Sequence, residues 1–511
     1  MTSRILGVVR EQVLAAYFGA GNAMDAYNVA YRIPNLVRDL FAEGAMSSAF
    51  VPTFTRHLTN QGKESAWRLG NLVINALIVI TAGLVVLGIV FAEPLVSLFA
   101  SAYREVPGKL ELTVFLTRLM LPFLTLAALA AAVMGMLNSL HRFFIPALSP
   151  AMFNVGNIVC AILLVPLMPG IGLPAITAIA IGTVIGGVAQ LAVQWPVLRR
   201  EGFRYQPLLD WKDPGLKRVL VLMGPGTIGL AATQVNVFVN TVLATGEGTG
   251  AVSWLNYAFR LMYLPIGLFG VSIATATLPR VSRHAATGDE PAARSTIADG
   301  LSLMLMLNVP ATIGLMVLAT PIVRVIFERA AFTPADTAAT AAAVQFYALG
   351  LIGYSIVRIA SPVFYALGQN RTPVLVSVAT VLINAVLNIV LVRVLGYRGL
   401  ALGTSIAALF NATLLIFFLR RRLGGIEGDR VVGSLVRIVA ASAAMGAAAV
   451  GAEMALTAWL PGTGLLVQIV RLSAAIAAAV GVLAGAAYAL RIKEFHEGLA
   501  LVLRRFRPAP R

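Results

Sequence analysis

The chain has 511 residues, 59% of them hydrophobic and 12% charged, with a mean hydropathy of +0.85; a soluble domain carries about 25% charge, so an ordinary globular fold is excluded. The net charge of +17 is spread as short basic clusters between apolar spans, which excludes a nucleic-acid surface gathered on one domain. The single cysteine, Cys160, excludes a disulfide framework and a Cys-rich metal site.

The opening "MTSRILGVVREQVLAAYF" has no continuous apolar core and no small-residue cleavage site, so it is not a signal peptide. It reads as the second half of an amphipathic span and predicts a native start upstream of Met1. Apolar spans then fall near residues 1–18, 26–56, 69–100, 110–140, 144–168, 172–198, 217–244, 249–280, 296–327, 337–367, 372–395, 398–419, 432–459 and 463–490. This predicts an all-α integral membrane protein of about fourteen transmembrane helices, since each span except the incomplete first can cross a hydrocarbon core of roughly 30 Å.

The second span contains "RIPNLVRDLFAEGA". On an ideal helix Asp25, Asn28, Arg32, Asp39 and Glu43 project within about 40° of one direction, as one polar stripe. Arg38 falls about 120° away, so either Pro34 rotates the helix between them or Arg38 faces a second wall. A charge facing lipid costs about 3 kcal/mol or more, so these side chains are expected to face a cavity or a partner. The plain alternative is that Arg38 pairs with Glu43 or Asp39 only to hold helices together.

Loops alternate in character along the chain. "RHLTNQGKESAWR", "RREGFRYQPLLDWKDPGLKR", "RVSRHAATGDEPAAR" and "RRRLGGIEGDR" hold most of the loop lysine and arginine, whereas "FGAGN", "MPGIG", "ATGEGTG" and "LPGTG" are nearly uncharged. The positive-inside rule then places both termini in the cytoplasm. His57, His141, His284 and His496 fall near span ends and read as solvated loop residues.

The chain also resembles itself at a shift of about 228 residues. "YNVAYRIPNLVRDLFAEGAMSSAFVPTFTRH" overlays "LNYAFRLMYLPIGLFGVSIATATLPRVSRH", matching Asn28 with Asn256, Arg32 with Arg260 and Phe41 with Phe269, and ending on an Arg-His pair in each copy. An even number of spans per displacement gives both copies one orientation. The expected domains are a lobe of spans 1–6 (residues 1–200), a parallel lobe of spans 7–12 (213–423), two additional helices (430–491) and a cytoplasmic tail (492–511), with a central cavity between the lobes. The tail alternates basic and apolar residues, which suits a helix on an anionic leaflet.

Arg4, Arg10, Arg32, Arg38 and Arg260 outnumber the nearby acids Glu11, Asp25, Asp39 and Glu43 by one, and Arg260 has no acid on its own span. A bound anion is therefore an expected partner. Guanidinium holds phosphate by two parallel hydrogen bonds and stays charged at ordinary pH, so several arginines favour a pyrophosphate headgroup.

"SRILGVVREQVLAAYFGAGNAMDAYNVAYRIPNLVRDLFAEGAMSSAFVP" resembles the N-terminal signature of the MurJ/MviN lipid II flippases of the multidrug/oligosaccharidyl-lipid/polysaccharide exporter superfamily, and the likeness extends through "GVSIATATLPRVSRH" to the last helices. The resemblance implies alternating access, with lipid II carried from the inner to the outer leaflet of the bacterial cytoplasmic membrane for peptidoglycan synthesis. It places cavity arginines at Arg4, Arg10, Arg38 and Arg260 and family acids at Asp25 and Glu43, which are expected to position the arginines; the polar stripe adds Arg32 and Asp39. Some family members share a sodium site, and the matching positions are Asn240, Asn384, Asn388, Leu400 through its carbonyl, and Thr404. Asn240 and Asn388 stand where those relatives carry carboxylates, which argues against sodium and for amide hydrogen bonds between helices.

Departures from the family pattern include Asp39, where a basic residue is usual, and Glu11, where aspartate is frequent. No paired carboxylates stand with a histidine or a metal-ligand cluster at a membrane boundary, and "GEGTG" lacks a following Lys-Ser/Thr, so neither an enzyme nor a nucleotide cradle is expected. The alternatives are an exporter of another polyprenyl-linked oligosaccharide, a drug antiporter of the same fold, and a membrane scaffold for wall-synthesis proteins. A cation antiporter would need unpaired carboxylates, and a scaffold would tolerate loss of the arginines.

Overall fold

The computed structural model describes residues 2–40, 46, 49–497 and 499, with side-chain detail for all of these except 2, 224–233, 268, 269 and 271. Among them are eighteen α-helices and no strand. The chain is an all-α, multi-pass membrane protein.

Each expected span coincides with a helix or a broken helix. α1 (Thr2–Phe18), α2 (Asn22–Asp39), α3 (Val51–Val90) with α4 (Ala92–Phe99), α5 (Lys109–Met120) with α6 (Phe123–Ser139), α7 (Phe144–Leu164) and α8 (Thr177–Arg200) form the first six. α9 (Pro214–Thr245), α10 (Ala251–Pro265) with α11 (Val271–Thr287), α12 (Glu290–Val317) with α13 (Ala319–Phe327), α14 (Pro334–Ala366), α15 (Arg371–Leu395) and α16 (Tyr397–Leu423) form the next six. α17 (Gly428–Trp459) and α18 (Leu465–Ala489) follow. Ten spans among the described residues are long and apolar enough to cross a membrane. The other four are the first two of each copy of the repeat, and these carry the arginines of interest.

The repeat is also visible in the backbone. Leu40, Met46, Ala49 and Phe50 after α2 are π-helical, and so is Ile266–Gly270 after α10. A π turn adds a residue to the ladder and bends it, a device found mostly near functional sites.

Two compact units result, residues 1–253 with 329–332, and 254–328 with 333–511. The sequence repeat begins its second copy at α9, whereas contacts group α9 with the first unit, because similarity of sequence and density of packing mark different boundaries. The first unit has a core of Phe50, Phe54, Leu69, Val73, Met136 and Phe203, drawn from α3, α6 and the segment after α8. In the second unit Ile297, Leu301, Ile359, Val363, Leu415 and Leu419 join α12, α14 and α16. Small residues set the closest approaches. A Cβ on Gly353 of α14 would lie 2.5 Å from the Ala408 carbonyl carbon of α16, so the two backbones touch there.

One buried ion pair organises the start of α10. Asp25 on α2 is wholly buried and meets the ammonium of Lys109, itself buried at the first residue of α5, at 3.0 Å. The same carboxylate accepts the Gly250 N–H at 2.7 Å, the Ser253 N–H at 3.1 Å and the Ser253 hydroxyl at 2.7 Å. It is thus a helix cap supplied from another helix, satisfying amides that the first turn of α10 leaves open. Lys109 also lies over the Tyr103 ring at 4.1 Å, so the ammonium is enclosed by a carboxylate and an aromatic face.

Two outcomes follow for thermal unfolding in detergent. Asp25→Ala leaves the Lys109 ammonium buried without its carboxylate and should cost about 3–5 kcal/mol, while Asp25→Ala combined with Lys109→Met should lose at least about 1 kcal/mol less than the sum of the single changes. Additive losses would show that the pair is not coupled. Gly353→Ala should cost about 1–3 kcal/mol by forcing α14 away from α16; an unchanged midpoint would show that this contact yields freely.

Candidate functional site

In the first unit Arg10 is the deepest of the expected arginines. It is 6% exposed although it sits mid-way along α1, and its Nη2 meets the adjacent carboxylate of Glu11 at 2.5 Å. α7 brings Phe153 beneath it, with the guanidinium carbon 5.5 Å from the ring centre. Phe153 is packed against Phe123 (5.3 Å) and Tyr31 (6.3 Å), and Tyr31 stacks on Tyr27 (6.0 Å). Arginine is charged in any such setting, so an aromatic shelf and one carboxylate hold it there. Its Nε–H makes no hydrogen bond, and a buried donor without an acceptor is costly. That donor is available to an incoming oxyanion.

Arg4 lies earlier on α1 and is exposed. Asn154 of α7 donates to the Ser3 carbonyl at 3.1 Å and so fixes the start of α1 beside it.

The polar stripe expected on α2 divides in two. Asp25 and Asn28 turn toward the first turn of α10, Asn28 donating to the Ser253 hydroxyl at 3.1 Å. Further along, Arg38 pairs with its neighbour Asp39, which also accepts from Asn35 at 3.2 Å. Arg32, between these groups, is half-buried. Asp25 therefore does not position an arginine: its described partners are Lys109, Gly250 and Ser253. Glu43 lies outside the described residues. Sequence reasoning passed over Lys109, whose only trace is that a lysine at a helix N-terminus opposes the macrodipole and needs a reason to be there.

In the second unit Arg260 is exposed on α10. One turn on, Tyr263 accepts a hydrogen bond from Arg358 of α14. Phe259 joins them, packed on Tyr263 at 5.8 Å and edge-on to Tyr347 and Tyr354 at 5.5 and 6.5 Å. Arg358 is a second residue the sequence reading missed, and here the signal was plain. It is the one charged side chain between Asp336 and Arg371 in the apolar span of α14, a position that ordinarily marks a substrate path or a partner.

The residues matched to a sodium site are hydrogen-bonded within their own units. In the second unit Asn388 donates to the Asn384 side-chain oxygen at 3.0 Å, and Thr404 donates to the Leu400 carbonyl at 2.7 Å. In the first unit Asn240 donates to Asn236 at 2.8 Å. The set has no carboxylate, and two of its oxygens already accept protein hydrogen bonds. Asn388 sits tightly on α16, where a Cβ on Gly403 would fall 2.0 Å from its oxygen, so these amides serve helix packing. Among the described residues no three His, Cys, Asp or Glu side chains gather as metal ligands.

Comparison with known proteins gives the family of the chain. The family model described as "Lipid II flippase MurJ" matches residues 14–470. The probable lipid II flippase MurJ of Vibrio cholerae is 34% identical over 424 residues, covering 81% of this chain and 80% of its own length. The lipid II flippase MurJ of Burkholderia cenocepacia is 34% identical over 426 residues, covering 83% and 82%. A solved structure of lipid II flippase MurJ in an inward closed conformation superposes with a TM-score of 0.77 at 26% identity, over 96% of this chain and 97% of that one. An inward-facing multidrug resistance transporter of the MATE family, 15% identical with a TM-score of 0.68, shares the fold and covers 83% of this chain and 96% of its own. On the extent of these matches, the chain belongs to the MurJ family of lipid II flippases.

Proposed function

We propose that this protein carries lipid II, a polyprenyl pyrophosphate glycopeptide, from the inner to the outer leaflet of the bacterial cytoplasmic membrane, by alternating access and without covalent chemistry. Family membership supports the cargo, and the observation that carries the reading is the set of arginines on the helices of a membrane protein, with Arg10 buried and its Nε–H without a hydrogen bond. Both termini and the basic loops lie on the cytoplasmic side.

In this reading Arg10, Arg38 and Arg260 hold the phosphates, joined by Arg358, while Arg4 and Arg32 lie on the path. Glu11 and Asp39 act as resident counter-ions: each is the sequence neighbour of its arginine and keeps the guanidinium neutralised when no cargo is bound. Phosphate then exchanges with a carboxylate rather than entering a bare cationic site. Release in the outward state requires the grip to weaken there, since a site of equal affinity in both states moves no equilibrium. A membrane potential negative inside can help return the surplus charge, at about 2.3 kcal/mol per charge per 100 mV. Asp25 has a different part, holding the start of α10 until that contact is released.

The test is complementation in cells depleted of their own flippase, measuring lipid II accessible on the outer leaflet. Losing one charge-assisted set of hydrogen bonds, about 1.5–3 kcal/mol, should weaken cargo binding roughly ten- to a hundredfold, so Arg10→Ala and Arg260→Ala should each abolish rescue at normal protein levels. Arg358→Ala should lower flipping, and Arg358→Lys should restore it in part. Full rescue by both Arg10→Ala and Arg260→Ala would refute the assignment.

A further inference from the structure

The segment between α8 and α9 is exposed along residues 204–212 and is tied to the side of α3. Phe203 is buried with its ring 5.4 Å from Trp67 and 5.8 Å from Trp195. Beyond it Asn71 of α3 donates to the Arg204 carbonyl at 3.0 Å and accepts the Gln206 N–H at 2.9 Å. Asn75, one turn further along α3, donates to the carbonyls of Gln206 at 2.8 Å and Leu208 at 3.0 Å, and accepts the Tyr205 hydroxyl at 2.7 Å. Pro207 has no N–H, and the Leu208 N–H closes on the Gln206 carbonyl at 2.8 Å. The N–H groups and carbonyls of Gln206 and Leu208 are thus all met by protein.

The depth of this turn follows from α3. Arg68 is the last charge before the apolar run of that helix, and Asn75 lies seven residues on, about 10 Å further at 1.5 Å per residue. A headgroup layer takes up about 5–8 Å on each side of the hydrocarbon, so the turn reaches the hydrocarbon boundary. Irregular backbone is tolerated at that depth only where its polar groups are met by protein. An aqueous loop would have no use for two asparagines supplied by a membrane-crossing helix.

The side chains fit the same setting. Tyr205, Leu208, Leu209 and Trp211 are exposed, Tyr205 by 47% and Leu208 by 38%. Under Tyr205 lies a cavity of about 270 Å³ whose other walls include Ile74, Ile78, Val133, Leu191 and Trp195. Residues 199–218 hold six basic side chains against three acidic ones. Of those acids Glu201 pairs with Arg142 at 2.7 Å, and Asp213 caps α9 through the Gly215 N–H at 2.8 Å.

We propose that residues 204–212 form a membrane-embedded strap, a surface built to lie in the interface of an anionic lipid leaflet. Leu208, Leu209 and Trp211 enter the acyl-chain boundary, an acyl chain fills the cavity under Tyr205, and Arg204 and Lys212 meet lipid phosphates. Aromatic rings with basic neighbours are the usual chemistry of that layer. The proposal rests on α3 crossing the membrane and not on the transport reading.

A nitroxide at Leu209→Cys in a Cys160→Ser background tests it in vesicles of phosphatidylcholine and phosphatidylglycerol, with a reference label at Glu64→Cys on the exposed polar end of α3. Position 209 should relax more with oxygen than with a water-soluble nickel chelate, and position 64 the reverse. Asn75→Leu should raise nickel access at 209 severalfold while leaving 64 unchanged, and vesicles of phosphatidylcholine alone should raise it as well. Equal nickel access at 209 and 64 in the parent protein would overturn the strap. Indifference to Asn75→Leu would overturn the part given to that amide, and indifference to lipid charge would overturn the anionic leaflet. The readout is independent of flipping, so it stands whatever the cargo.

Discussion

Within a bilayer no water meets a stranded donor, acceptor or charge, and each one must find its partner in the protein or in a ligand. Most of the polar chemistry of this chain follows from that constraint. Asp25 answers an ammonium, two amides and a hydroxyl with one carboxylate. Asn71 and Asn75 do the same for the backbone between α8 and α9. Arg10 is answered only in part, by Glu11 and the Phe153 ring, and its Nε–H stays open. An open Nε–H recurs at Arg294 and Arg471, so what sets Arg10 apart is its burial beside an aromatic ring.

The two copies of the repeat have kept a backbone device while changing the charges on it. Arg32 and Arg260 correspond, and both arginine helices run into π turns. The first copy carries Asp25, Arg38 and Asp39, for which α10 has no counterpart acid, and the second recruits Arg358 from α14 through Tyr263. Duplication thus supplied the bend, and divergence placed the charges.

The helical layout was legible because apolar length is a strong signal: all fourteen expected spans have helices, and their breaks fall inside spans that a window average treats as continuous. Contacts between distant residues were far less so. The direction of Asp25 on α2 follows from periodicity, yet its partner Lys109 lies 84 residues away, and no local pattern joins them. Arg38 and Asp39 are adjacent in sequence, so their pairing could be weighed from the start as the plain alternative to an anion. Arg358 is marked in the sequence only as a lone charge in an apolar span, outside the charge-rich helices of the repeat.

Adjacent pairing of Arg10 and Arg38 with an acid looks at first like an argument against anion binding. The geometry of the side chains answers it. A guanidinium carries five donors in a plane, and the Arg10 pair engages one nitrogen, Nη2, leaving Nε–H without an acceptor. A neighbour on the same helix cannot reach around the fork, so it lowers the cost of burying the charge without saturating its hydrogen bonds. A fully desolvated arginine without a counter-ion would be unstable between cargoes, and one locked bidentate to a carboxylate would bind nothing else. An acid at the next residue is the intermediate arrangement, and it is compatible with the counter-ion role proposed for Glu11 and Asp39.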